Sequence, residues 1–96
     1  MKIRFTRRSR ADILSILTYL SERSPQGRRN VGRAFEKTIE LIGEHPHIGR
    51  DSGERNTRVL RVGRYPYLIY WSVMDDGVVI VHIRYTARRP WRGELS

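Results

Sequence analysis

Cysteine is absent from the 96 residues. Disulfides, thiolate nucleophiles and zinc sites built on Cys are therefore excluded. The histidines His45, His47 and His82 lack the spacing of a zinc-binding helix, so no metal or other cofactor is expected. Lysine is nearly absent too: 17 of the 19 basic residues are Arg and only 2 are Lys. No apolar segment follows the basic start MKIRFTRRSR, which argues against a secretory signal. The longest uncharged run, YPYLIYWSVM (65–74), is half the length a membrane-spanning helix needs, about 20 residues. A cytoplasmic location with no membrane partner is the expectation.

What remains is a strongly basic chain, with formal charge +9 and pI about 11.0. Arginine presents a planar fork that fits phosphates and carboxylates and stacks on flat rings. Such a surface predicts an acidic partner, either nucleic acid or an acidic protein. Hydrophobic residues make up 39%, too many for a disordered chain. The length fits one domain over residues 1–96. Folding at this size hides roughly 60–70% of the unfolded chain's surface, enough for one modest core.

KIRFT (2–6) alternates charged and apolar residues and reads as a strand. SRAD (9–12) has a helix-capping pattern. Ile13, Ile16 or Leu17, and Leu20 follow at helical spacing, which predicts a helix over 9–23. Ser24-Pro25 restarts the chain, with Ser as cap and Pro in the first turn. Val31, Phe35, Thr38 and Ile42 form the stripe of a second helix over 25–44. The short junction makes an antiparallel helical hairpin. Pro46, Gly49 and Gly53 punctuate a loop over 44–56.

Strands are predicted at 57–62, 65–73 and 77–85, the last two joined by an Asp76-Gly77 turn. The order β-α-α-β-β-β predicts an α+β fold. Its helical hairpin covers one face of a mostly antiparallel four-stranded sheet. In the last strand, strict alternation sends Val79, Val81 and Ile83 toward the helices and His82 and Arg84 to the open face. Tyr65, Tyr67, Tyr70 and Trp71 are read as core packing rather than as a stacking platform. Pattern alone leaves the partner of the first strand open.

In their order along the chain, RADILSILTYL, AFEKTIELIGEHPHIGR, RVLRVGRYPYLIYWSV and VVIVHIRYTARRPW resemble the ParE/RelE superfamily of bacterial type II toxins, on its ParE-like side. The resemblance covers almost the whole chain. It implies a cytoplasmic toxin neutralised by a cognate acidic antitoxin, ParD- or RelB-like, in a hetero-oligomeric complex. ParE-like members poison DNA gyrase; RelE-like members cut mRNA on the ribosome. Both use one fold, so the fold does not choose between them.

RNA cleavage needs a base for the 2′-hydroxyl, an acid for the leaving oxygen and cations for the phosphorane. The candidates for a metal-independent endoribonuclease are Arg61, His82, Tyr85 and Arg88. Tyr67 stands where RelE-like enzymes have a catalytic arginine, and Tyr85 stands where ParE-like chains commonly carry His. The acid/base set is incomplete, so the residues favour a non-enzymatic gyrase inhibitor; the ribosome-dependent endoribonuclease is the alternative. A plain nucleic-acid-binding module is a lesser one, for no RNA-reading motif is present. Arg58, Arg61, Arg64, Arg84, Arg88, Arg89 and Trp91, with Arg92 beside them, are the candidate target-binding residues. Leu14, Tyr19, Ile39 and Leu41 are the candidate antitoxin-binding spots on the outer side of the hairpin.

Overall fold

The computed structural model describes residues 2–86. It contains β1 (Lys2–Phe5), α1 (Arg7–Arg23), α2 (Pro25–Glu44), β2 (Arg50–Asp51), β3 (Arg58–Arg61), β4 (Tyr67–Met74) and β5 (Gly77–Tyr85). The strands form one five-stranded sheet in the order β1-β5-β4-β3-β2. The α+β architecture is as expected, with one strand more than the sequence showed. β2 is only two residues long and exposed, too short to leave an alternation pattern. The open question of β1 is answered: it lies at the sheet edge, parallel to β5, with Lys2 opposite Gly77 and Phe5 opposite Ile80. All other pairings are antiparallel. A Cβ at Gly77 would run into the Lys2 carbonyl oxygen, so glycine is what lets the two strands meet there.

Helix α1 begins at Arg7, ahead of the expected Ser9, because Thr6 is the cap. Its hydroxyl accepts from Ser9 N at 3.0 Å. Ser9 is instead buried, and its own hydroxyl donates to Thr6 O at 2.9 Å. Ser24 closes α1 and opens α2, accepting from Gly27 N at 3.0 Å with Pro25 next in line. The α2 stripe Val31, Phe35, Thr38 and Ile42 is buried as its spacing predicts.

The core joins that stripe to Val62, Tyr67, Ile69, Trp71, Val78, Ile80 and Ile83. Val78 and Ile80 therefore face the helices, where Val79 and Val81 were expected. The cause is a break in register. Tyr70 pairs with His82 but Trp71 pairs with Ile80, leaving Val81 as an extra residue in β5. Such a bulge shifts the side-chain phase by one. Ile83 thus still reaches the core, and His82 and Arg84 still lie on the other face, as expected.

The loop 45–49 is locked to the sheet. Trp71 Nε1 donates to Pro46 O at 2.9 Å, and the Arg58 guanidinium donates to Ile48 O at 3.0 Å and Gly49 O at 3.1 Å. Gly49 has φ +79° and packs directly over the Val59 carbonyl and the Trp71 ring, a position closed to any side chain.

Candidate functional site

Cross-strand neighbours share a face of a sheet. The face opposite the helices therefore carries the row Arg61–Leu68–Arg84, running over β3, β4 and β5. Beside it lies a second row, Arg50–Val59–Tyr70–His82. Arg50, Arg61 and Arg84 are exposed. A shallow depression of about 370 Å³ lies between Arg50 and Arg61, with Val59 and Leu68 among its lining residues. Arg50 and Arg61 thus border a small apolar floor, and Arg84 stands across from its Leu68 on β5. The structure adds Arg50, which the sequence reading missed because no pattern marks so short a strand.

His82 is not available as a surface base, for only 7% of it is exposed. Its ring stacks on Tyr70 at 4.2 Å between centroids and 15° between planes. Nε2 meets Glu54 Oε1 at 3.2 Å, while Nδ1 is buried with no partner among the described residues. Glu54 is held there by its own loop: Glu54 N donates to Ser52 Oγ at 2.9 Å, and Thr57 N donates to Glu54 O at 3.2 Å. Tyr70 links this stack to the cationic row, since Arg84 Nη1 donates to Tyr70 Oη at 3.4 Å.

Tyr85 lies on the other side of the sheet. It pairs with Tyr67 and its ring sits 5.5 Å from that ring, at a groove shared with Ser15, Ile16, Tyr19, Leu20 and Pro66. Burial, then the neighbouring Tyr85 and Tyr19, pushes the Tyr67 hydroxyl above its ordinary pKa of 10.0. The candidate nuclease residues are therefore not gathered. Arg61 is on the open face, His82 is beneath it, and Tyr85 is on the helix face. Arg88, Arg89, Trp91 and Arg92 lie outside the described residues.

The second-strand arginines divide as well. Arg58 pairs with Trp71 and spends its guanidinium on the two loop carbonyls, a structural role. Arg61 stays exposed, with Nη2 donating to Arg64 O at 3.3 Å. Arg64 belongs to another site, a depression with Asn30, Arg33 and Lys37 of α2. Tyr67, Tyr70 and Trp71 are buried and Tyr65 is partly so, in keeping with packing.

Of the four apolar spots on the hairpin, Leu14 is 68% exposed, Tyr19 55% and Leu41 38%. Tyr19 carries the Arg23 guanidinium over its ring at 3.7 Å. Ile39 is partly buried and lines a groove of about 430 Å³ between the helices, with Phe5, Ile13, Leu17 and Phe35. Arg28, Arg29 and Arg33 stand along that groove, opposed by a single acid, Glu36. Tyr19 and Ile39 thus line two different grooves. Among the described residues no cluster of His, Asp and Glu is able to hold a metal ion, and no helix is long and apolar enough to cross a membrane.

Comparison with known proteins agrees with this architecture. The sequence is 30% identical to Toxin RelE2 of Caulobacter vibrioides over 84 residues, covering 88% of this chain and 93% of the relative. It is 29% identical to Toxin RelE3 of the same organism, covering 85% and 90%. A toxin of the chromosomal ParDE system from P. aeruginosa superposes with TM-score 0.76 at 20% identity, covering 90% of this chain and 96% of that one. The E. coli RelE fold, seen in the intact RelBE toxin–antitoxin complex, superposes with TM-score 0.56 at 16% identity, covering 91% and 96%. The family model described as the ParE toxin of the parDE type II toxin–antitoxin system matches residues 3–90. On that match, spanning both helices and all of the described sheet but Lys2, this chain belongs to the ParE toxins of the ParE/RelE superfamily of type II toxin–antitoxin systems.

Proposed function

We infer that this toxin arrests bacterial growth by binding and inhibiting DNA gyrase in the cytoplasm, and that a cognate antitoxin silences it. One observation carries the choice of a binding mechanism. The open face offers the exposed cations Arg50, Arg61 and Arg84 beside an apolar floor, while His82 is sealed beneath Glu54 and Tyr85 lies on the opposite face. Cations and a flat apolar floor suit an acidic protein surface. Proton transfer requires a base and an acid within reach of one phosphodiester, and these residues do not converge on one.

The antitoxin reading draws on the inter-helix groove, whose apolar floor and three arginines suit an amphipathic acidic segment. The +9 charge would speed such an encounter and select its partner. An endoribonuclease remains the second reading, favoured by the similarity to the two Caulobacter RelE toxins.

The test is a supercoiling assay with purified, antitoxin-free protein and DNA gyrase, scored together with trapped DNA breaks. Inhibition is expected. Folded protein that leaves gyrase untouched but cuts mRNA on ribosomes would establish the second reading instead.

A further inference from the structure

Beneath the cationic row lies a polar stack that a nuclease site would not need. Glu54 bonds His82 Nε2, His82 stacks on Tyr70, and the Tyr70 hydroxyl accepts from Arg84. Two of its four members, Tyr70 and His82, are buried. The residues Asp51 to Thr57 form a turn tied by its own hydrogen bonds, including Gly53 N to Asp51 Oδ1 at 2.9 Å. That turn is built to hold one carboxylate against one histidine.

A free arginine side chain is conformationally costly to immobilise on a partner. Arginine held before contact loses less on binding, and it presents its fork in one orientation. We propose that Glu54, His82 and Tyr70 form a clamp that pre-orients Arg84 for the target, with Tyr70 and Glu54 as positioning residues. The proposal rests on the open face being the target-binding face.

Charge alone predicts the opposite sign at Glu54. A carboxylate held over His82, on the same face as Arg84, repels an acidic target, so a purely electrostatic Glu54 would weaken binding and its loss would strengthen it. A clamp member's loss weakens binding instead. The hydroxyl of Tyr70 can be removed while its ring still stacks on His82, so Tyr70→Phe isolates the link to Arg84.

The experiment has two arms on the full chain. In the first, 15N relaxation reads the order of the Arg84 Nε–H in the free protein. The expected order parameter is near that of rigid backbone, about 0.85, falling below about 0.6 in Tyr70→Phe and in Glu54→Ala. A mobile Arg84 in the unaltered protein overturns the clamp outright, whatever the target is. In the second arm, Tyr70→Phe and Glu54→Ala should each raise the half-inhibitory concentration against DNA gyrase about three- to tenfold.

Neither substitution should add to Arg84→Ala in a double-mutant cycle. Additive losses, or tighter inhibition by Glu54→Ala, overturn the positioning role. An ordered Arg84 whose replacement changes neither gyrase inhibition nor growth arrest sinks the target-face assignment, and with it the functional half of the clamp. A protein that spares gyrase while Arg84→Ala still relieves growth arrest refutes only the choice of target. In that case the cycle is read on growth arrest, with the same expected non-additivity.

Discussion

The two faces of the β4–β5 pair differ more than their shared strands suggest. Toward the helices stand Tyr67, Ile69, Trp71, Val78, Ile80 and Ile83, all in one core. On the other face, Leu68 and Arg84 flank the sealed Tyr70–His82 stack. One face is closed by hydrophobic burial. Among the described residues, the other is covered where a seven-residue turn, 51–57, lays Glu54 over His82, and is exposed along the arginine row. This polar layer is satisfied only in part: among the described residues Nε2 of His82 has Glu54, but buried Nδ1 has no partner, a costly arrangement in a buried layer. A face made this way is suited to holding side chains in place for a partner, whereas the helix face supplies the stability that makes it possible.

Substitutions separate the two faces by the size of their effect on stability. Trp71→Ala should be the most damaging, since the ring is fully buried and its indole N–H holds Pro46 O. A loss of about 3–5 kcal/mol is expected in urea unfolding. Survival of this variant with little loss would mean that the core sits elsewhere.

Arg58→Ala should cost about 1–3 kcal/mol, because it strips a charged donor from two loop carbonyls. Faster proteolytic nicking in the loop 45–50 would accompany it. Arg58→Lys should recover only part of the loss, as an ammonium cannot span both carbonyls in a fork.

Tyr67→Phe should alter the pH dependence of stability only at high pH. The fold holds this hydroxyl protonated above its ordinary 10.0, so its contribution is complete below pH 10 and disappears as pH rises through the higher folded-state value. Thermal melts from pH 8 to 11 should therefore fall less steeply at the alkaline end in the phenylalanine variant. Equal slopes would remove Tyr67 as a source of alkaline sensitivity.

Arg61→Ala with Arg84→Ala should change stability least, within about 0.5 kcal/mol per site, yet relieve growth arrest. Full toxicity in this folded variant would break the functional side of the comparison.

Much of the architecture was legible because local rules and global packing agree. Ser24-Pro25, the α2 stripe and the Asp-Gly turn each act over a few residues, where sequence pattern is informative. Arg58 and Arg61 show where that legibility stops. Both are arginines on one short strand, and no spacing rule tells which one will find loop carbonyls ten residues back. Arg50 was invisible for a related reason: its strand exists only because Val59 and Arg58 are there to pair with it.

Taken by itself, the sequence determined the α+β class, the helical hairpin, the basic surface and the membership of this chain in its toxin family. Those properties follow from composition, periodicity and the order of motifs, all carried by the chain itself. The tertiary structure alone decided that β1 joins the sheet edge in parallel, that Val81 is an extra residue, and that His82 is buried between Tyr70 and Glu54. Each of these depends on contacts between residues far apart in sequence. A one-residue shift in strand register reverses the side chains across it; here it put Val78 and Ile80 into the core and left His82 and Arg84 on the face that alternation gives them.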